Sequence, residues 1–469
     1  MSSKPLRFWD LVLYAVPMTL SLRWLSVAAA AGPASLPMWI AAVLSFMAPL
    51  VIATAEMAGR FEGEGGIYTW TREAFGPFAG FVCGWLYWTC NIPFFSGLLV
   101  FIVNVLAIAA GPKAVAMMQN PALFLACSLL LSIAVAAMHL MGLEMGKWIS
   151  NFGAAAAVGV LLILIAAGAI LALKPAGPAT DFVHASYAPP LTADGAILWG
   201  TMVFAFGGPE ALAFLRNDVE GGIRQILRAL AMIGGLLTVS YIAGTSAILS
   251  ILTPAQATRL SGVPEAVSQA LGRLGLGRLA PFCLVLIAVA LLGGYSSWFG
   301  VAARLPFAAG VDNFLPAAFG RRHPKTGAPI AAILTQSIAV IVLVVFSEIS
   351  QAGASLKLAY DFLVDMTVIS YTLPFVFLFA VYLKVQSRPA PAGAWTAPGG
   401  VAGGRAIGWT GLVVAVSAIL CTLVPPADAA DKAAVVWRLL IASGVLILGG
   451  VLIYVWGARR ALALQGAEG

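Results

Sequence analysis

Phe204-Ala205-Phe206-Gly207-Gly208-Pro209-Glu210-Ala211-Leu212 lies within an apolar run from 195 to 217, and Ala15-Val16-Pro17-Met18-Thr19-Leu20-Ser21-Leu22-Arg23-Trp24 within another from 10 to 31. Each run has the roughly 20 apolar residues that a helix needs to cross a bilayer. Each is also interrupted, one by Gly207, Gly208 and Pro209 beside the carboxylate of Glu210, the other by Pro17 next to the hydroxyls of Thr19 and Ser21. In hydrocarbon every backbone polar group must find a partner within the protein, so a break at membrane depth is tolerated where the freed groups meet protein or line a cavity. Two broken helices therefore mark where a buried site should lie.

The rest of the chain sets those breaks in lipid. Of 469 residues, 61% are hydrophobic and 10% charged, against roughly 25% charged in a soluble domain, which excludes a soluble globular enzyme. Further apolar runs at 34–58, 77–110, 121–140, 148–173, 227–252, 279–305, 328–348, 356–384, 407–425 and 435–457 bring the expected spans to twelve, an all-α polytopic membrane protein. With the N-terminus inside, seventeen of the 26 Lys and Arg fall at cytoplasmic helix ends, eight fall outside, and Arg23 stays within the first span. That bias puts both termini in the cytoplasm. The net charge of +7 then reads as topology in a lipid bilayer rather than as a nucleic-acid surface. Lys4 and Arg7 imitate the start of a signal peptide, but Arg23 interrupts the apolar core and argues for a retained span. The five cysteines sit in apolar runs, where free thiols act as small hydrophobes. In the loop 253–278, Pro264 to Leu274 reads as a short surface helix.

The two interrupted runs open two blocks of five spans, about 10–190 and 195–385, and leave 406–458 as a peripheral pair. An odd number of spans per block inverts one block relative to the other. Interrupted segments at matching places in inverted halves imply a secondary transporter with its site at the midplane. Ordinary proline and glycine kinks are the plainer alternative. Helix ends at such breaks present amide donors to an anionic group and carbonyls to a cation, a pattern that a zwitterion matches.

The stretch Glu64-Gly65-Gly66-Ile67-Tyr68-Thr69-Trp70-Thr71-Arg72-Glu73-Ala74-Phe75-Gly76-Pro77, followed by Gly84-Trp85-Leu86-Tyr87-Trp88, closely resembles the signature after the second helix of amino acid permeases of the amino acid-polyamine-organocation superfamily. Phe204 to Glu210, Gly293-Gly294-Tyr295, and Asp312-Asn313-Phe314-Leu315-Pro316 with Gly327-Ala328-Pro329 agree with that family. The resemblance covers about residues 8–385. It implies a LeuT-type 5+5 inverted repeat with helices 1 and 6 broken. It also implies a permease for amino acids or related amines in the inner (plasma) membrane, working by proton-coupled symport or amino acid antiport. Two features depart from the common pattern. Met18-Thr19-Leu20-Ser21 replaces a Gly-Ser-Gly-like turn, and Ser21-Leu22-Arg23-Trp24 is more similar to the glutamate/GABA-antiporter-like branch. The fifth span also has no lysine where some proton-coupled relatives place one, near Ala157. A sensor that keeps the transporter fold and binds without flux is the alternative from another class.

The substrate-binding candidates are Met18, Thr19, Leu20 and Ser21 at the first break and Phe204, Phe206, Gly207 and Gly208 at the second, with Tyr295 added through the resemblance. Glu210, in a carboxyl-poor apolar setting, is the candidate to carry a proton, as the resemblance also implies. The plainer reading has it satisfy freed backbone donors or pair with Arg216. Arg23 needs a counter-charge. Asp361 and Asp365, at i and i+4, share one face of the tenth span. Arg23 and these aspartates therefore read as a gate pair or a static ion pair, unless Arg23 meets an acidic group of the substrate. Glu56 near Arg60 reads as an interfacial pair and Trp298 as packing. His139, His184 and His323 are scattered and no phosphate loop is present, so neither a metal site, a catalytic triad, a cofactor nor ATP drive is expected.

Overall fold

The computed structural model describes residues 7–9, 11–12, 19–61, 66–141, 143–210, 219–308, 314–324, 326–350, 356–391, 394–427 and 429–467. Among these the regular elements are helices. In chain order they include α1 (Arg23–Ala29), α2 (Gly32–Arg60), α3 (Gly66–Phe75), α4 (Pro77–Ala110), α5 (Pro121–Met141), α6 (Trp148–Ala172) and α7 (Ala193–Ala205). They continue with α8 (Arg224–Ile251), α9 (Gly262–Arg273), α10 (Gly277–Ala302), α11 (Ile330–Ile349), α12 (Lys357–Val385), α13 (Gly400–Thr422) and α14 (Lys432–Arg460). Ten of them are long and apolar enough to cross a membrane. The two expected spans missing from that ten are the first and the sixth. Among the described residues their regular parts include α1 and α7, and the chain is outside helix at Leu20–Ser21 and at Phe206–Gly208. Pro17, Met18 and Arg216 lie outside the described residues.

Local chemistry sets the element ends. Gly111, at φ +101°, closes α4 in a conformation open to glycine, and Pro112 follows it. Within α2, Pro49 has no N–H and its ring crowds the carbonyl four residues back, and the turn before it widens into a π-helical stretch at Val43–Met47. The segment expected as a surface helix forms α9, but its Val263, Ala266, Val267, Ala270 and Leu271 are buried against the bundle. It is amphipathic and seated rather than merely superficial.

The interior is organised around α4 and α12, the most enclosed of the long helices, while α14 is the least enclosed. Helix α4 packs on α10 and α12, and α10 packs on α6. Gly153 of α6 and Gly293 of α10 meet so closely that a Cβ on either would collide with the other's backbone. Polar clamps fix the ends. Buried Glu56 accepts from Arg60 Nη2 and Nε at 2.6 and 2.9 Å, from the Tyr382 hydroxyl at 2.8 Å, from Gln386 Nε2 at 3.1 Å and from the Ala397 amide at 3.0 Å. The expected pair with Arg60 is thus one part of a hub that joins α2, α12 and the segment after α12.

Candidate functional site

Helix α7 ends in a tight turn, with the N–H groups of Phe206 and Gly207 bonded to the carbonyls of Val203 and Phe204 at 3.3 and 2.9 Å. Gly208 then takes φ +115°, a conformation that a side chain would strain, and turns its N–H toward Glu210 Oε2 at 2.7 Å. At the other break α1 restarts with the Trp24 N–H on the Ser21 carbonyl at 3.3 Å. Interrupting a helix leaves carbonyls without intrahelical donors. Two carbonyls beside the breaks, those of Thr19 and Ala205, converge on one group. The Tyr241 hydroxyl of α8 lies 3.0 Å from the first and 3.2 Å from the second. A single phenol proton ties the two interrupted segments together.

Two small cavities lie beside this tie and share Ser21, Phe94 and Trp298. One is completed by Thr19, Trp24, Asn91, Phe204, Ala205, Gly207 and Tyr371. The other is completed by Leu20, Leu22, Leu98, Ala157, Ala290, Leu291 and Gly294. None of these lining residues is charged. Of the sequence candidates, Thr19, Leu20, Ser21, Phe204 and Gly207 reach the cavity walls. Gly208 stands just behind, where a Cβ would come within 3.0 Å of Thr19 Cγ2 and 3.3 Å of Trp298.

Phe206 and Tyr295 do not line either cavity. Phe206 sits edge-on to Trp39 and Tyr241, between α2 and α8. Tyr295 stacks on Phe299 and leans on Phe95, within the core of α4 and α10. The reason is helical geometry: Gly294 and Trp298, four residues apart, share the cavity face of α10, and Tyr295 is turned about 100° from Gly294. Trp298, read from the sequence as packing, lines both cavities.

Glu210 is buried, and its acceptors are met by neutral donors. Oε1 accepts from Tyr87 and Tyr371, both at 3.0 Å, and Oε2 from the Gly208 amide. Tyr371 therefore walls the cavity and holds the carboxyl with the same ring. Tyr87, Asn91, Phe94 and Leu98 fall at spacings of four, three and four on α4, one helical face. That periodicity was the available signal for the last three as cavity residues and for Tyr87 beside them.

The charged groups pair differently from the gate expected. Asp365 and Asp361 face Arg259, in the segment before α9, with Oδ1 to Nη1 distances of 3.0 and 3.5 Å. Burial alone would pull the Arg259 guanidinium down, but the two aspartates outweigh it and hold its pKa above the ordinary value. Arg23 is 1% exposed, and its guanidinium lies 4.1 Å from the Trp24 ring centre and 4.8 Å from that of Phe94. Its Nε and Nη2 make no hydrogen bond. A desolvated cation on a ring gains about 2 kcal/mol, less than the several kcal/mol it costs to bury a charge. Because the Arg259 pair is mostly enclosed, Arg259→Met alone is expected to lower the melting temperature more than Arg259→Met with Asp365→Leu. Thermal unfolding of the four proteins in detergent should give a coupling of about 1–3 kcal/mol. Additive effects would remove the pair from the account of stability.

Other polar pairs lie elsewhere: His139 Nε2 is 3.2 Å from Ser296 Oγ between α5 and α10, and His184 pairs with Asp181 in an exposed loop. Among the described residues no three His, Cys, Asp or Glu side chains gather as a metal site.

With this geometry in view, similarity to known proteins can be placed on it. An uncharacterized transporter of Legionella pneumophila is 26% identical over 451 residues, covering 95% of this chain and 95% of that one. A probable agmatine/putrescine antiporter of Lactococcus lactis is 23% identical over 359 residues, covering 76% and 74%. A crystal structure of the Eremococcus coleocola manganese transporter, in a histidine-to-alanine mutant, superposes with a TM-score of 0.56 at 13% identity over 96% of this chain and 94% of the other, a likeness of fold. The model of the amino acid permease family matches residues 6–452. A multi-pass helical membrane protein matched by the family model over nearly its whole length, this chain belongs to the amino acid permease family.

Proposed function

We propose that the chain is a secondary active transporter that carries amino acids or related amines across the cytoplasmic membrane by alternating access. Its twelve spans form inverted repeats at 10–190 and 195–385, with 406–458 peripheral and both termini in the cytoplasm. The observation that carries this reading is the Tyr241 tie between Thr19 and Ala205, beside a cavity to which both interrupted segments contribute. A site built this way changes shape when either segment moves.

The repeat is supported by how the helices pair. Exchanging each span of one block for its counterpart turns the α4–α12 contact into α10–α6, α1–α8 into α7–α2, and α5–α6 into α11–α12. The contacts α4–α10, α5–α11 and α2–α8 map onto themselves.

Proton coupling is assigned to Glu210. A proton on Oε1 adds a donor that faces Tyr87 and Tyr371, and a tyrosine that receives it must turn its own hydroxyl proton away. Tyr371 is one of the two and is also a cavity wall, so proton and substrate act on the same side chain, as linkage requires. Asp361 and Asp365, with Arg259, form the outer closure. The Lactococcus relative, by its name an antiporter, favours exchange as the form of coupling to test beside symport.

The test is uptake of labelled amino acids and amines into liposomes holding the purified protein, with an imposed proton gradient or a preloaded internal amino acid. Accumulation driven by the gradient supports symport. Flux that requires the internal partner supports antiport. Saturable binding without flux in either case overturns the transporter reading and leaves a sensor.

A further inference from the structure

Cavity walls without charge leave open which part of a substrate is recognised electrostatically, and the hydrogen-bond balance around them is uneven. The acceptors are satisfied: Glu210 has three donors, and the Thr19 and Ala205 carbonyls share Tyr241. The groups left empty include donors. Arg23 Nε and Nη2 are buried and make no hydrogen bond, and the neutral hydroxyl of Tyr360 stands beside the guanidinium. No carboxylate among the described residues lies within ion-pair distance of Arg23, and the two aspartates on the face of α12 next to Tyr360 belong to Arg259.

The position of Arg23 joins this vacancy to the cavity. Its sequence neighbours Leu22 and Trp24 each line a cavity wall, and the rings that cover its guanidinium, Trp24 and Phe94, are walls as well. On its far side the guanidinium packs against Gly97, where a Cβ would stand 3.6 Å from Nη1. Arg23 itself lines neither cavity, so meeting a substrate requires its long side chain to swing off those ring faces.

We propose that Arg23 recognises a carboxylate of the substrate, so that the transported molecule carries a carboxylate and is not a bare amine. This rests on the transporter reading above and narrows its substrate class. The guanidinium matches a carboxylate in a two-point fork, and a bound carboxylate would fill the two empty donors while neutralising the charge. A diamine would add positive charge beside a cation that has no counter-charge among the described residues, and offers no acceptor when protonated.

The experiment is equilibrium binding to the full-length protein in detergent, read by thermal shift and by competition. The probes are the common L-amino acids and amines that differ from them by loss of the carboxylate, such as L-arginine against agmatine and L-ornithine against putrescine. At least one acid should stabilise the protein at concentrations ten-fold or more below those needed for its amine. Arg23→Gln should weaken that acid at least ten-fold and leave the amine unchanged, and Arg23→Lys should recover part of the loss.

Variants are compared only as monodisperse protein. A merely structural Arg23 would shift the melting temperature of the unliganded protein and keep the acid-to-amine ratio, which overturns the proposal. So would an amine that binds as well as its acid, a panel in which no acid stabilises, or an Arg23-dependent stabilisation by chloride alone, which would give the site to a free anion. Binding needs no flux, so an acid that binds through Arg23 without being transported would sink the transporter reading and spare this one.

Discussion

Gly208→Leu should abolish uptake in liposomes while the protein still extracts and runs as a single species. The backbone there has φ +115°, which costs a side-chain-bearing residue about 1–3 kcal/mol. The new atoms would press on Thr19 Cγ2 and Trp298, one from the first interrupted segment and one from the cavity wall. Displacing binding groups by an ångström can cost about a hundred-fold in rate, so a loss of at least that size is expected. Gly207→Ala makes a graded comparison. Its Cβ would lie 2.6 Å from Tyr371 Cε1, so that ring must shift, and with it the bond to Glu210. Wild-type uptake by Gly208→Leu would place the substrate elsewhere in the bundle.

Glu210→Gln should separate binding from coupling. The amide keeps the shape of the carboxyl and can still accept the Gly208 N–H through its oxygen. Its NH2 then faces Tyr87 and Tyr371, whose hydroxyls can reverse and accept. Substrate affinity should therefore change by less than about three-fold, well under the 1.4 kcal/mol of a ten-fold change. Accumulation driven by an inward proton gradient should fall to the level seen without a gradient, and the pH dependence of transport should flatten, because the amide holds no exchangeable proton in this range. Unchanged accumulation against a gradient would move the proton to another group or remove it from the cycle.

What could be read in the sequence and what could not divides along a physical line. The breaks were legible because Gly207, Gly208 and Pro209 act locally: a missing N–H and a positive φ need no distant partner to end a helix. Glu210 was legible because a carboxylate in an apolar run is conspicuous whatever it touches. Its actual partners were not, since Tyr87 and Tyr371 are 123 and 161 residues away and a membrane tyrosine reads as packing until its face is known. The aspartate pair on α12 was correctly placed on one face, yet the cation opposite it is Arg259, which the sequence offered only as a loop charge. Tyr295 was carried by its place in the motif Gly293-Gly294-Tyr295, and one step around the helix made Gly294 the residue that lines the cavity. Spacing within an element was readable, and opposition between elements was not.

Tyr241 has one proton and two carbonyls to serve, 3.0 and 3.2 Å away. At any instant one of them holds the stronger bond. A slide of one segment past the other by a few tenths of an ångström turns the Tyr241 hydroxyl from the Thr19 carbonyl to that of Ala205 or back, exchanging one bond for a nearly equal one. The hydroxyl acts as a bearing between the segments: it keeps them in contact while its own bonding changes little as one slides on the other.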